Sequence, residues 1–275
     1  MHIVGNGFLA RNLAPLAARH PDTVVLAAGV SWADGTSDAD FRRELDLVLT
    51  WARRCAADGR RLVFFSTAST GMYGRVAGPG REDVPVEPCT PYGRHKLHLE
   101  ERLAASGADC LVLRLGHLVG PGQPAHQLLP MLARQVAEGR VRVHRGASRD
   151  LIAVADAVTV VDRLLAGGLR GETVNVASGN AVPVERIVDW LERRLGVRAH
   201  RELHDTGGQH TISTDKLRRL VPEVADLGFG TDGYHLRALE SFPLDVPPAA
   251  PAAPADGLPG SSATQVPVGT LGSTT

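Results

Sequence analysis

The chain has 275 residues, 43% hydrophobic and 22% charged, with 30 basic side chains balanced by 30 acidic ones. That length allows one large domain or two modest ones, and the even charge gives no field to attract nucleic acid or an anionic membrane. No apolar run reaches membrane-spanning length, Met1 leads into a strand pattern instead of a leader, and Cys55, Cys89 and Cys110 make neither a metal spacing nor an even disulfide set, so a cytoplasmic, metal-free protein is expected.

The first element is a short strand at His2–Val4 that meets Gly5-Asn6-Gly7-Phe8-Leu9-Ala10, with a helical apolar pattern behind it. Strand, glycine turn and helix together expose backbone amides where a pyrophosphate can sit. Pro15 should kink or shorten that helix. The next strand, Thr23–Ser31, has no acidic residue at its end to hold an adenosine ribose: Asp22 precedes it and Asp34 lies beyond. A helix from Asp40 to Ala57 then leads to the strand at Arg61. A strand-helix-strand unit takes about 30 residues or more, so only two strand-helix units fit before Arg61.

From Arg61 to Thr70 an apolar, β-prone run ends in hydroxyls at Ser66, Thr67, Ser69 and Thr70, as a buried strand does when it reaches a site. Pro91 suits a first helical turn, and Tyr92 and Lys96, four residues apart, then share one helix face. A phenol titrates near pH 10, so Tyr92 can exchange protons at neutral pH only if a cation such as Lys96 stabilises its phenolate. Such a pair is also a common accident of helical surfaces. The strand Cys110–Leu115, the helices Leu128–Glu138 and Val184–Leu195, and the strands Val141–His144 and Glu172–Ala177 follow. From Pro243 on, a Pro-, Ala-, Gly- and Ser-rich stretch with almost no charge reads as a disordered tail.

Several segments occur in family order: Gly5–Ala10, Ser66–Gly74 ending in Met-Tyr-Gly, Pro91–Lys96, Leu113–Gly122, Arg149–Asp156 and Val174–Gly179. Together they resemble the extended short-chain dehydrogenase/reductase family of NAD(P)-dependent nucleotide-sugar epimerases, dehydratases and reductases. The resemblance implies a Rossmann-like α/β fold with a doubly wound parallel sheet, reduced here because the second and third strands are missing. It also implies a dinucleotide-binding part at 1–116 plus 151–180 and a substrate lobe at 117–150 plus 181–242. Cofactor contacts would come from Gly5, Asn6, Gly7, Phe8, Leu9, Ala27, Ala28, Gly29, Ser66, Tyr92, Lys96 and His117, the cofactor being NAD or NADP without clear preference. Tyr92 would move the proton and Lys96 would lower its pKa and reach the nicotinamide ribose. The partner hydroxyl is Ser69 counting back from Met72-Tyr73-Gly74, or Thr67 counting forward from the strand.

Substrate contacts would come from Ser69, Thr70, His117 and Arg149. Arg149 is the candidate for a nucleotide diphosphate, with an ion pair to Asp150 or Asp156 as its alternative role. Asp156 reads as a cap or a structural residue. In the family the loop matching Arg81–Pro88 lies over the substrate; a solvated connector is the equal alternative for its residues. The acidic pair that dehydratases carry after the hydroxyl residue is replaced by Ala68-Ser69 or Thr70-Gly71, which disfavours dehydration. The expected activity is reduction of a keto group, with the 4-keto favoured, of a nucleotide-linked deoxysugar or related metabolite by a homodimer; an epimerase or a non-redox descendant is the alternative.

Overall fold

In the computed structural model, residues 1–31, 36–74, 76, 78–205 and 210–244 are described. Asp34 and the tail from residue 245 lie outside them. β1 (His2–Val4) runs into α1 (Phe8–Leu13), and Pro15 turns the continuation, Ala14–Arg19, into a 3-10 helix before β2 (Thr23–Leu26). α2 (Asp38–Asp58) begins two residues before the expected start. Ser37 is its cap, and Asp40 closes a capping box from the third position instead of opening the helix. β3 (Arg61–Thr67), α3 (Thr70–Tyr73), α4 (Pro91–Ala104) and β4 (Cys110–Leu115) follow.

Beyond β4 come β5 (His117–Val119), α5 (Leu128–Ala137), β6 (Arg140–His144), β7 (Ser148–Ala153), α6 (Val154–Ala166) and β8 (Thr173–Val176). The chain continues through β9 (Ala181–Pro183), α7 (Val184–Leu195), β10 (His200–His204), α8 (Asp215–Leu220) and α9 (Tyr234–Glu240).

The main sheet is parallel with strand order β1-β2-β3-β4-β8, so β1 is an edge strand and pairs only with β2 among the described residues. Two strand-helix units precede β3, as the residue count requires. The period of two sends alternate residues to opposite cores. Val25, Val63, Phe65, Leu111 and Leu113 join the large core shared with α5, α6 and α7, while Val24, Leu26, Leu62, Phe64 and Val112 pack with Val48, Ala52, Leu99 and Leu103 under α2 and α4. β5 and β9 flank β7, and β6 pairs with β10. Among the described residues no helix is long and apolar enough to cross a membrane.

Candidate active site

A cavity of about 550 Å³ opens where β2, β3 and β4 end at their C-termini. One wall carries the glycine turn. Gly5 has φ 124, and a Cβ there would stand 2.5 Å from the Ala27 carbonyl oxygen, so only glycine lets β1 turn this tightly beside β2. Gly7, the cap of α1, lines the cavity, and a Cβ on it would meet nothing within 4 Å, so the space above the turn is open.

α4 supplies the opposite wall. Thr90 caps it by accepting from the Gly93 amide at 3.0 Å, and Pro91 occupies its first turn, as expected. Tyr92 and Lys96 therefore share a face, with the Lys96 ammonium 5.6 Å from the Tyr92 ring centroid. Lys96 is 2% exposed. Its Nζ donates to Glu44 Oε1 at 2.7 Å and to the Phe65 carbonyl at 3.4 Å, while His95 Nε2 lies 2.9 Å from Glu44 Oε2.

This pairing corrects the expected electrostatics. Burial raises the Tyr92 pKa; Lys96 pulls it down but the Glu44 carboxylate pushes it up, and the net shift is upward. Burial also opposes the charges of the pair. Even so, Tyr92 and Glu44 leave the Lys96 pKa raised, and Lys96 and His95 bring the Glu44 carboxyl down to about 2. Glu44 was invisible in the sequence reading because it sits among the charges of Asp38–Asp46; its only signal is the spacing Glu44, Val48, Ala52, Cys55 along the buried stripe of α2.

The floor is the end of β3. Ser66 and Thr67 line the cavity with Thr70, and the buried Ser66 hydroxyl has no hydrogen-bond partner among the described residues. Thr67 Oγ1 accepts from the Ser69 amide at 3.1 Å, which leaves its own proton free to donate. Ser69 occupies the position before the short α3, without a side-chain cap bond, and does not line the cavity. The forward count from the strand thus puts its hydroxyl in the cavity wall, and the backward count does not.

The far wall comes from β5 and β7. His117 lines it, and burial, then Arg149 and His210, push its pKa down to about 3, so its ring is neutral at physiological pH. Arg149 also lines it. Neither alternative ion pair forms: Asp150 accepts from the Ser178 amide and hydroxyl and the Gly179 amide, and Asp156 pairs with Arg237 and accepts from the Tyr234 hydroxyl. Asp156 is structural and does not cap α6, which starts after Ala153 without a side-chain cap. The Arg149 guanidinium donates only to the Ser148 carbonyl among the described residues, and burial lowers its pKa.

Of the other expected contacts, Phe8, Leu9, Ala27 and Gly29 line the cavity, and Gly5, Asn6 and Ala28 do not. The Arg81–Pro88 connector is tied elsewhere: Arg81 pairs with Asp83 and Asp215, and Glu82 accepts from the Asn175 amide. The sequence reading missed Ser31, Thr90, His126 and Gln127, which complete the wall. No carboxylate lines the cavity among the described residues, whereas Lys96 and Arg149 do, so its walls suit an anionic ligand.

A parallel sheet with a glycine turn at its first strand thus opens a cleft at the C-terminal ends of its strands, where such sheets bind ligands, and Tyr92, Lys96, Thr67 and Arg149 all line it. Residues 9–177 match the family described as NAD dependent epimerase/dehydratase, and the chain belongs to that family. A dTDP-6-deoxy-L-talose 4-dehydrogenase (NAD(P)(+)) from Kitasatospora kifunensis is 31% identical over 210 residues, covering 70% of this chain and 65% of that protein. The chain thus matches less than two thirds of that relative's length. A GDP-6-deoxy-D-mannose reductase from Pseudomonas aeruginosa is 27% identical over 235 residues, covering 72% of this chain and 77% of that one. Among solved structures, RMD from Pseudomonas aeruginosa complexed with NADPH superposes with a TM-score of 0.70 at 23% identity, over 87% of this chain and 97% of that one. A UDP-galactose 4-epimerase gives a TM-score of 0.70 at 20% identity, over 88% and 97%. At these identities the two structures share the fold.

Proposed function

We propose that the chain is an NAD(P)-dependent reductase of a keto group, the 4-keto, on a nucleotide-linked deoxysugar. The observation that carries this reading is that Tyr92, Lys96 and Thr67 share one cavity with Gly7 of the glycine turn and with an Arg149 that no carboxylate neutralises among the described residues. The residues present fit a nicotinamide dinucleotide: the open space over Gly7 would take the pyrophosphate, and the buried Ser66 hydroxyl, which has no hydrogen-bond partner among the described residues, lies on the floor. The outer half of the cavity is clipped, since β1 is the sheet edge and no acidic residue from the described part of β2 or its loop enters the cavity. Weak discrimination between NAD and NADP follows.

When bound, the reduced nicotinamide supplies hydride to the carbonyl carbon. Tyr92 gives its proton to the carbonyl oxygen, and Thr67 donates a hydrogen bond to the same oxygen as negative charge develops there. Arg149 grips the substrate diphosphate in bidentate fashion and thereby sets the sugar against Tyr92. A net reductase also suits the clipped pocket, because its cofactor enters and leaves on every turnover, whereas an epimerase must retain the same molecule through two half-reactions. Two copies pairing through α4 is the assembly the family resemblance implies.

The test is to supply dTDP- and GDP-linked 4-keto-6-deoxy sugars with NADH or NADPH and to follow nicotinamide absorbance together with the sugar product. Stoichiometric oxidation of cofactor, with Tyr92→Phe slower by about 10²–10⁴-fold and unchanged in circular dichroism, is expected. Interconversion of sugar epimers without net oxidation would establish the epimerase instead, and no nicotinamide binding by fluorescence titration, with Gly7→Arg as control, would remove redox chemistry altogether.

A further inference from the structure

The Glu44 carboxylate is 3% exposed and lies behind the catalytic pair. A buried anion is costly unless it is matched, and here it is matched by the one ammonium the site uses and by a histidine beside it. The fit is tight. A Cβ on Gly29, in the loop after β2, would stand 2.3 Å from Glu44 Oε1 and 3.1 Å from Lys96 Nζ, so the absence of a side chain there makes room for the pair.

We propose that Glu44 is a positioning residue of this site: its carboxylate clamps the Lys96 ammonium against the Phe65 carbonyl, and the neutralised pair keeps Tyr92 as the phenol, the proton-donating form that carbonyl reduction requires. The inference rests on the reductase reading and deepens it by giving the site a preferred protonation state. In the reductive step the Tyr92 O–H bond breaks, its proton goes to the carbonyl oxygen while hydride from the reduced nicotinamide reaches the carbon, and solvent then reprotonates the phenolate.

Among the described residues the titratable groups around Tyr92 are few, and Lys96 and Glu44 act on it directly. Lys96, His95 and Glu100 lie on its own helix, Glu44 comes from α2, and His117 and Arg149 stand on the far cavity wall. Glu100 is taken up by Arg114, to which it is bonded at 2.6–3.2 Å, and His117 is neutral. Glu44 is thus the anion that opposes Lys96 at Tyr92.

The experiment is a phenolate absorbance titration of the full chain, with Tyr92→Phe as the subtraction. The chain has three tyrosines, and the subtraction removes the signal that Tyr73 and Tyr234 contribute to both proteins, so the difference spectrum belongs to Tyr92. Glu44→Gln is expected to move this titration down by about one pH unit, and the alkaline limb of the reductive rate with it. A residue that only supports the fold would change the rate without moving either. If the glutamine protein does not fold, Glu44→Asp, which withdraws the carboxylate by one methylene, is expected to move the titration in the same direction by less.

A titration that stays in place or rises in the folded variant overturns the proposal. The titration needs neither substrate nor cofactor. A moving titration without any sugar reduction therefore sinks the reductase reading alone, and intact reduction with an unmoved titration sinks the role of Glu44 alone.

Discussion

Which hydroxyl shares the cavity with Tyr92 is decided by where β3 stops. Thr67 is its last residue and lines the cavity, while Ser69 has turned away to begin α3. Replacing Thr67 with Val is expected to lower kcat by about 10²–10³-fold, the usual loss of one donor to a developing oxyanion, and Ser69→Ala to change it only a few-fold. Steady-state rates on the same nucleotide sugar separate the two, and the reverse ranking would return the role to Ser69. Both serines and threonines of Ser66–Thr70 are β-prone hydroxyl residues in one run, so their types cannot say which one faces inward. The pleat and the point at which the chain leaves it do.

At the scale of elements, the glycine turn carries a local strain that only one residue type accepts. Gly5→Ala would put a Cβ 2.5 Å from the Ala27 oxygen at a φ of 124, and it is expected to cost about 1–3 kcal/mol in urea unfolding and to weaken nicotinamide binding as β1 separates from β2. An unchanged midpoint would show that the turn relaxes freely. Much of this level was legible: the Pro91 turn that opens α4, the break at Pro15 and the apolar run of β3 are written in neighbouring residues. The start of α2 was read two residues late because Asp40 resembles a cap by type, and only the reciprocal bonds with Ser37 show which residue opens the helix.

Across the whole molecule, buried charges tie α2, α4 and the sheet together, and their pH dependence is a signature of the fold. Glu44 has its pKa depressed from the ordinary 4.5 to about 2, so its contribution to stability is present above pH 4.5 and is lost as pH falls through about 2. The stability gap between the wild-type chain and Glu44→Gln, measured by urea unfolding, is expected to be largest near neutral pH and to close over that acid window; a gap independent of pH would show that the carboxylate is not paired in solution. A second buried set, Glu100 to Arg114 to Tyr73 to Asn175, runs from α4 through β4 and α3 to β8 and anchors the segment just below the cavity floor.

Local spacing determined the α/β class, the shortened sheet with two units before β3, the glycine turn and the Tyr92–Lys96 face, because periodicity, caps and turns depend on residues within a few positions of one another. It also supplied the segment order on which the family assignment rests. Only the tertiary structure decided that Lys96 meets Glu44 from 52 positions away, that Thr67 and not Ser69 lines the cavity, and that Arg149 pairs with neither Asp150 nor Asp156. Those outcomes depend on which faces of distant elements pack together, and a charged residue in a solvated run reads the same whether it ends at the surface or against a buried ammonium.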